Sequence, residues 1–374
     1  MLPRPVEPEL VAVGPDEVVV TAASGPDDVL VTRTGDHEIE TRGPVHVVRV
    51  TGLEPDTEYP LSVADVDPHP YLPPVVRTLP RPPGALVATV ATANDVHFGE
   101  VRCGVTGDSE QDAKGPIFTA EPGDPPYPQV MNAAVVAEMR ALGPDAVIVK
   151  GDLTSDGTPE QYAEFLAAYG VFGDAMHHIR GNHDAMLDPE MALEDAPYAV
   201  DVNGVTVAVL DTTIPSTDAG TISADQLEWL DDLAASTTGP VLAFGHHPVF
   251  DVEQGIRTGR PYFGIQPDES EQLVDVVARH ENLVGYSAGH THRNRVRRFE
   301  RARRVPFGEV GATKDYPGAW AEYRCYEGGY THVVRRVSEP RAFAWAEKTR
   351  AMYEGAYRDY ALGDLHDRCY TELY

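Results

Sequence analysis

Ala146-Val147-Ile148-Val149-Lys150-Gly151-Asp152 is a short apolar run that stops at a glycine and a carboxylate. A run of this length bounded by turn residues predicts a strand buried on both faces, as in a parallel sheet. Similar runs lie at Leu86–Ala93, Val205–Leu210, Val241–Phe244 and Leu283–Ser287. Helical patterns separate them. Met131–Leu142 is one, and Thr158-Pro159-Glu160-Gln161 opens another with proline in its first turn. Ser223-Ala224-Asp225-Gln226 forms a capping box before Leu227, Trp229 and Leu230, and Asp268–His280 reads as a fourth helix. Strands alternating with helices predict an α/β sheet, and such sheets bind ligands at the carboxyl ends of their strands.

Metal-ligand residue types gather at those strand ends. Asp95-Val96-His97 follows the first strand and Gly151-Asp152 the second. Gly181-Asn182-His183-Asp184 follows Ile179-Arg180, Gly245-His246-His247-Pro248 follows Val241–Phe244, and Gly289-His290-Thr291-His292 follows Leu283–Ser287. Asp95, Asp152, Asn182, His246 and His290 are 57, 30, 64 and 44 residues apart, so only a sheet would bring them together. Imidazole, carboxylate and carboxamide without thiolate suit Mn, Fe, Zn or Co rather than Cu(I) or an iron–sulfur cluster. These ligands are too many for one ion with open positions. One carboxylate shared by two ions about 3.5–4 Å apart resolves the count and makes a clamp for in-line attack at phosphorus.

In order, these five blocks resemble the calcineurin-like metallophosphoesterases. Asp95-x-His97, with Leu210-Asp211-Thr212-Thr213 and Gln226-Leu227-x-Trp229-Leu230, is similar to the class III cyclic nucleotide phosphodiesterase and glycerophosphodiesterase branch. The resemblance spans residues 86–295 and implies an α/β fold of two packed sheets flanked by helices. It implies that Asp95, His97, Asp152 and His292 hold one ion and that Asp152, Asn182, His246 and His290 hold the other. His183 would touch the phosphate and Asp184 would orient it. The implied reaction is metal-dependent hydrolysis of a small-molecule phosphate ester, chiefly a phosphodiester, with a hydroxide shared by the ions as nucleophile. Phosphomonoester hydrolysis, protein phosphatase activity and a non-catalytic metal-binding scaffold are the alternatives.

Residues 1–80 read differently. Runs such as Glu17–Thr21, Val29–Thr32 and Val45–Val50 are β-branched and bounded by turn clusters, which predicts an all-β sandwich domain. Leu53-Glu54-Pro55-Asp56-Thr57-Glu58-Tyr59 resembles the Leu-x-Pro-x-Thr-x-Tyr signature of fibronectin type III domains. Residues 81–84 then read as a Pro-rich linker, 85–339 as the metallophosphoesterase domain, and 340–374 as a helical tail carrying a Trp345, Met352 and Tyr360 stripe.

The remaining histidines, including His177, His178 and His247, are expected to be structural or surface residues, and the insertion at 104–128 has the length of a functional lid or a disordered loop, with Tyr127 and Phe118 expected to anchor it. Seven arginines between Arg293 and Arg304 are expected to pair with carboxylates, the alternative being a positive rim for an anionic substrate. Arg180 is expected either to pair with an acid or to meet the phosphate. The net charge of −29 disfavours nucleic acid and anionic lipid as partners. No apolar run approaches the length of a membrane span, and Met1–Glu7 lacks the apolar region of a secretory signal. Three scattered cysteines fit a reducing, cytoplasmic setting. Oligomeric state is left open.

Overall fold

The computed structural model describes residues 7–105, 115–193, 196–251 and 263–374. The N-terminal β-branched runs form two antiparallel sheets. One joins β1 (Glu9–Val13), β2 (Glu17–Ala23) and β5 (Val45–Thr51) in the order β1-β2-β5. The other joins β3 (Val29–Thr34), β4 (His37–Arg42), β6 (Glu58–Val63) and β7 (Val75–Arg77) in the order β4-β3-β6-β7. Leu10, Val18, Val20, Leu30, Val50, Leu61 and Val76 fill the space between them. Tyr59, at the start of β6, fixes the preceding corner by accepting the Glu54 N–H at 2.9 Å.

The remainder is a pair of six-stranded sheets. The first contains β8 (Leu86–Ala93), β9 (Ala146–Lys150) and β10 (Met176–Ile179), which are mutually parallel. With β17 (Ala319–Tyr326), β18 (Gly329–Arg336) and β19 (Cys369–Leu373) its order is β10-β9-β8-β17-β18-β19. The second contains β11 (Tyr198–Val202), β12 (Val205–Val209), β13 (Val241–Phe244), β14 (Leu283–Ala288), β15 (Arg295–Arg298) and β16 (Pro306–Glu309), in the order β11-β12-β13-β14-β16-β15. The apolar run at 146–150 has no polar face because both its faces are covered. Ile148 joins Val90, Val207, Leu242 and Phe244 between the sheets. Val147 and Val149 face outward under α1 (Tyr127–Leu142), α2 (Pro159–Tyr169) and α5 (Pro340–Thr349), whose Met131, Phe165 and Trp345 cover them. The other outer face is covered by α3 (Ala224–Ser236) and α4 (Pro267–Arg279) through Leu227, Leu230, Leu273 and Val277. Thr158 and Ser223 cap α2 and α3 by accepting the Gln161 and Gln226 N–H groups. Residues 106–114 of the 104–128 insertion lie outside the described residues. Its Tyr127 opens α1 and stacks on Trp345 at 4.1 Å, an anchoring role.

The C-terminal segment departs from a purely helical tail. After α6 (Tyr357–Leu362) and α7 (Leu365–Arg368), Cys369–Leu373 pairs along β18 and becomes the edge of the first sheet. The Cys-Tyr-Thr-Glu-Leu run has the aromatic and β-branched character a strand favours, and a free β18 edge was there to pair with.

The sandwich is bound to the α/β sheets by buried charge. Glu9 and Glu17, 1% and 3% exposed, point out of the sandwich. Arg336 Nη1 is 3.1 Å and Arg358 Nε 2.7 Å from Glu9, and the Tyr316 hydroxyl donates to the same carboxylate at 3.0 Å. Glu17 pairs with Arg335, which also holds Glu322 at 2.6 Å. Val11, Ala12 and Val19 pack on Val333 and Cys369 beside these pairs. Removing one partner of a buried pair leaves the other charge desolvated and uncompensated. Glu9→Ala is therefore expected to destabilise the folded chain by about 3–5 kcal/mol, read from urea denaturation midpoints. A midpoint equal to that of the parent chain would show that this contact does not stabilise the fold.

Candidate metal centre

The carboxyl ends of β8, β9, β10, β13 and β14 meet at one edge of the two sheets, and the predicted residues sit there. The Asp95 N–H donates to the Gly151 carbonyl at 3.1 Å, and the Gly289 N–H to the His246 carbonyl at 2.9 Å. The His290 N–H donates to the Asp95 carboxylate at 3.0 Å, tying the first sheet to the second. Asp95, His97, Asp152, Asn182, His246 and His290 are each no more than 5% exposed, while the His292 side chain is 22% exposed.

The backbone is strained at these positions. Asp95, His97, Asp152, His290 and His292 have φ of 51°, 45°, 49°, 68° and 56°. Left-handed backbone in a residue with a Cβ costs on the order of 1–3 kcal/mol and tends to collect at functional sites. It turns each side chain inward just where its strand ends. Gly181 is required by close approach, since a Cβ there would lie 2.2 Å from Asp152 Oδ1 and 2.3 Å from the Asp152 nitrogen.

Asp152 stands between two imidazoles. Its Oδ2 is 3.4 Å from His97 Nε2 and its Oδ1 is 3.3 Å from His246 Nε2. His246 Nδ1 donates to the Lys150 carbonyl at 2.8 Å, so its Nε2 faces Asp152 and the Asn182 Oδ1, 3.2 Å away. His292 Nε2 is 3.5 Å from Asp95 Oδ1. Ligand atoms of Asp95, His97 and His292 lie within 4.8 Å of one another, as do those of Asp95, Asp152 and His246.

The electrostatics favour positive charge here. Burial works against ionisation of both acids, yet His292 holds Asp95, and His246 and His183 hold Asp152, below the usual carboxylate range. Burial would lower His246, but the Asp152 carboxylate raises it to about 9. Asp95 in the same way raises His292 to about 10. His97 is pushed down to about 4 by burial, with Lys314 and His183 adding to the effect, so its ring is neutral and keeps a lone pair to donate. Both ring nitrogens of His97 and Nε2 of His290 are buried with no hydrogen-bond partner among the described residues. Nitrogen and oxygen donors converging this way fit divalent ions that accept imidazole, carboxylate and carboxamide.

One expectation changes. Asp184 does not orient His183. Its carboxylate accepts the N–H groups of Leu153, Thr154 and Gly181 and the Thr154 hydroxyl at 2.7–3.1 Å, which closes the turns around Asp152. The His183 ring instead donates from Nδ1 to the Ser155 carbonyl at 2.7 Å. His247 takes the structural of its two expected roles. It is fully buried, its ring 4.4 Å from that of His290, and Thr212 Oγ1 accepts the N–H groups of both His246 and His247. Adjacency to His246 was the signal that could have placed it beside the site. Arg180 pairs with Asp211 at 2.8 Å. Arg293 pairs with Glu309 and Arg295 with Asp251, while Arg301 pairs with Glu271 and Asp275.

The family model described as calcineurin-like phosphoesterase matches residues 88–294, more than half of the chain. The chain belongs to the calcineurin-like phosphoesterase family. Among its relatives, a "probable cyclic nucleotide phosphodiesterase" of Synechococcus is 29% identical over 43% of this chain and 62% of its own length. A "probable glycerophosphodiester phosphodiesterase" of Arcobacter nitrofigilis is 27% identical over 40% of this chain and 57% of its own. The chain thus spans about three-fifths of the length of these curated relatives. In fold it is similar to the crystal structure of a dimetal phosphatase from Danio rerio, with a TM-score of 0.52 at 15% identity, covering 68% of this chain and 98% of that one. No helix among the described residues is long and apolar enough to cross a membrane.

At this site, Gly181→Ala should push the new methyl group into Asp152. A loss of about 1–3 kcal/mol in stability and weakened metal uptake are expected, read by thermal denaturation and elemental analysis of the same preparation. Parent-like values in both would show that the Gly181 approach is not a constraint on the site.

Proposed function

We propose that the chain is a metal-dependent hydrolase of phosphate esters, acting chiefly on phosphodiesters. The observation that carries this reading is the Asp152 carboxylate, with one oxygen facing His97 and the other His246, the arrangement of a ligand shared by two ions. Asp95, His97, Asp152 and His292 would hold the first ion, and Asp152, Asn182, His246 and His290 the second. When bound, such a pair supplies Lewis acidity at the phosphoryl oxygens and a nucleophile at neutral pH. Preference for a diester rests on the relatives named as cyclic nucleotide and glycerophosphodiester phosphodiesterases.

The chain's own residues supply the rest. His183 is partly exposed beside His97, ring centroids 4.5 Å apart, and the two proposed ligand sets are complete without it. With Nδ1–H committed to the Ser155 carbonyl, Nε2 is the nitrogen available to the substrate. A protonated Nε2 would donate to the leaving oxygen or to the charge growing on the phosphoryl group. Asp184 acts one step removed, by fixing the loops that carry Asp152 and Asn182.

The N-terminal strands support a fibronectin type III-like reading. They split three and four between two sheets, and Tyr59 bonds back to the backbone upstream in the manner of a tyrosine corner. We read residues 1–80 as that domain, 81–84 as its linker, and 85–374 as the phosphoesterase domain, with the C-terminal segment built into its sheet.

Assay of phosphomonoesters, cyclic nucleotides and glycerophosphodiesters with Mn, Fe, Zn and Co tests the class, and inactivity across the panel would overturn it. Asp152→Ala is expected to abolish activity and bring metal content near zero, and retention of two tightly held ions would remove the shared-carboxylate assignment. His183→Ala is expected to keep both ions while turnover falls about 10²- to 10⁴-fold. The loss should be largest for poor leaving groups and smaller for bis-p-nitrophenyl phosphate, whose leaving group needs no proton. Equal losses for both substrates would rule out proton donation.

A further inference from the structure

His292 has a carboxylate on each side of its ring. Nε2 faces Asp95, and Nδ1 lies 3.4 Å from Asp315 Oδ2. Asp315 is 2% exposed and falls outside the residues matched by the family model. Its other oxygen accepts the hydroxyl of Tyr357, a buried residue of α6, at 2.7 Å. The loop bearing Asp315 is fastened on two sides. The Thr313 and Lys314 N–H groups donate to the carbonyls of Asn94 and Asp95 at 3.0 and 3.4 Å. Trp345 Nε1 donates to the Lys314 carbonyl, and the Tyr316 N–H to Thr349 Oγ1, both at 2.9 Å. Asp315 is thereby held at a set distance from both the strand end carrying Asp95 and the C-terminal helices.

We infer that Asp315 is the positioning residue of His292 and that Tyr357 holds it in place, so the C-terminal segment completes the first ion site. This rests on the dinuclear reading above. A neutral imidazole carries one N–H. His292 can offer a lone pair from Nε2 only with that proton on Nδ1, and a carboxylate beside Nδ1 fixes this tautomer and makes Nε2 a stronger donor. The bland alternative is that Asp315 only accepts the Tyr357 hydroxyl and so stabilises the fold.

The two differ in metal affinity. Stepwise binding of Mn and Co is measured by chelator competition on the full chain, with the visible spectrum of the Co form as a second readout. Asp315→Asn keeps the side-chain shape and loses the charge. It is expected to weaken the first-bound or second-bound ion, whichever occupies the His292 site, about 10- to 100-fold, to change the Co spectrum, and to leave the other affinity near the parent value. Tyr357→Phe keeps Asp315 and should give a smaller loss of the same affinity. Two parent-like affinities in Asp315→Asn, even with lowered thermal stability, would overturn the Asp315 assignment while leaving the dinuclear reading intact. A parent chain that takes up fewer than two ions would overturn the dinuclear reading and this inference with it. Should Asp315→Asn not fold, Tyr357→Phe decides, and parent-like affinities in that variant would overturn the proposal.

Discussion

A carboxylate that serves two imidazoles from opposite sides must sit where two half-sites meet, and Asp152 occupies that junction. Its position sets conditions on everything around it. β9 has to be an inner strand, flanked by β8 and β10, so that Asp95 and Asn182 stand on either side. The second sheet must approach closely enough for the His246 ring to reach the Lys150 carbonyl. The strand end has to turn at once, hence the left-handed backbone of Asp152 and a Gly181 with no room for a side chain. Strain and buried polar groups at one edge can persist only on a rigid support. The apolar layers on both faces of β9 are that support.

The central strands were legible because burial on both faces leaves an uninterrupted apolar run, as at Ala146–Val149. The grouping of the candidate ligands was legible because all but Asn182 stand just after such a run. What sequence could not give is direction. Asp184 follows His183, yet its side chain turns back to the amides of Leu153 and Thr154, and the partner of His183 is a backbone carbonyl, which has no sequence signature. Nothing local in the sequence marks Glu9 and Glu17 as buried. They are buried because Arg335 and Arg336, more than three hundred residues later, come to face them. The strand at Cys369–Leu373 was hidden for a similar reason, since its pairing depends on an edge formed elsewhere in the chain.

The C-terminal segment holds distant parts of the fold in common. Arg368 donates to the carbonyls of Leu10 and Val11 in β1 and to that of Leu362. Arg358 reaches Glu9, and Tyr357, beside it on α6, reaches Asp315. One short helix therefore contacts both the sandwich and the loop behind His292. A module joined only by the Pro-rich linker would have no such link to the site, whereas this sandwich shares its buried charges with the helices that flank it.

Charge gives these arrangements a further consequence. A chain of net charge −29 repels an anionic ester at long range. The arginine-rich stretch at 293–304 would be the obvious remedy, but Arg293, Arg295, Arg298 and Arg301 are each paired with a carboxylate. Arg303 is turned to the carbonyls of Val277, His280 and Leu283 at the end of α4. Arg180, the cation nearest Asn182 in sequence, is spent on Asp211. Within the proposed centre, Asp95 and Asp152 are the only carboxylates among the seven candidate ligands. In the dinuclear reading, two divalent ions against two carboxylates would leave a net positive site. Screening would confine that positive field to about 10 Å at ordinary ionic strength, so on the proposed reading a phosphate ester would meet the ions' attraction only near the mouth.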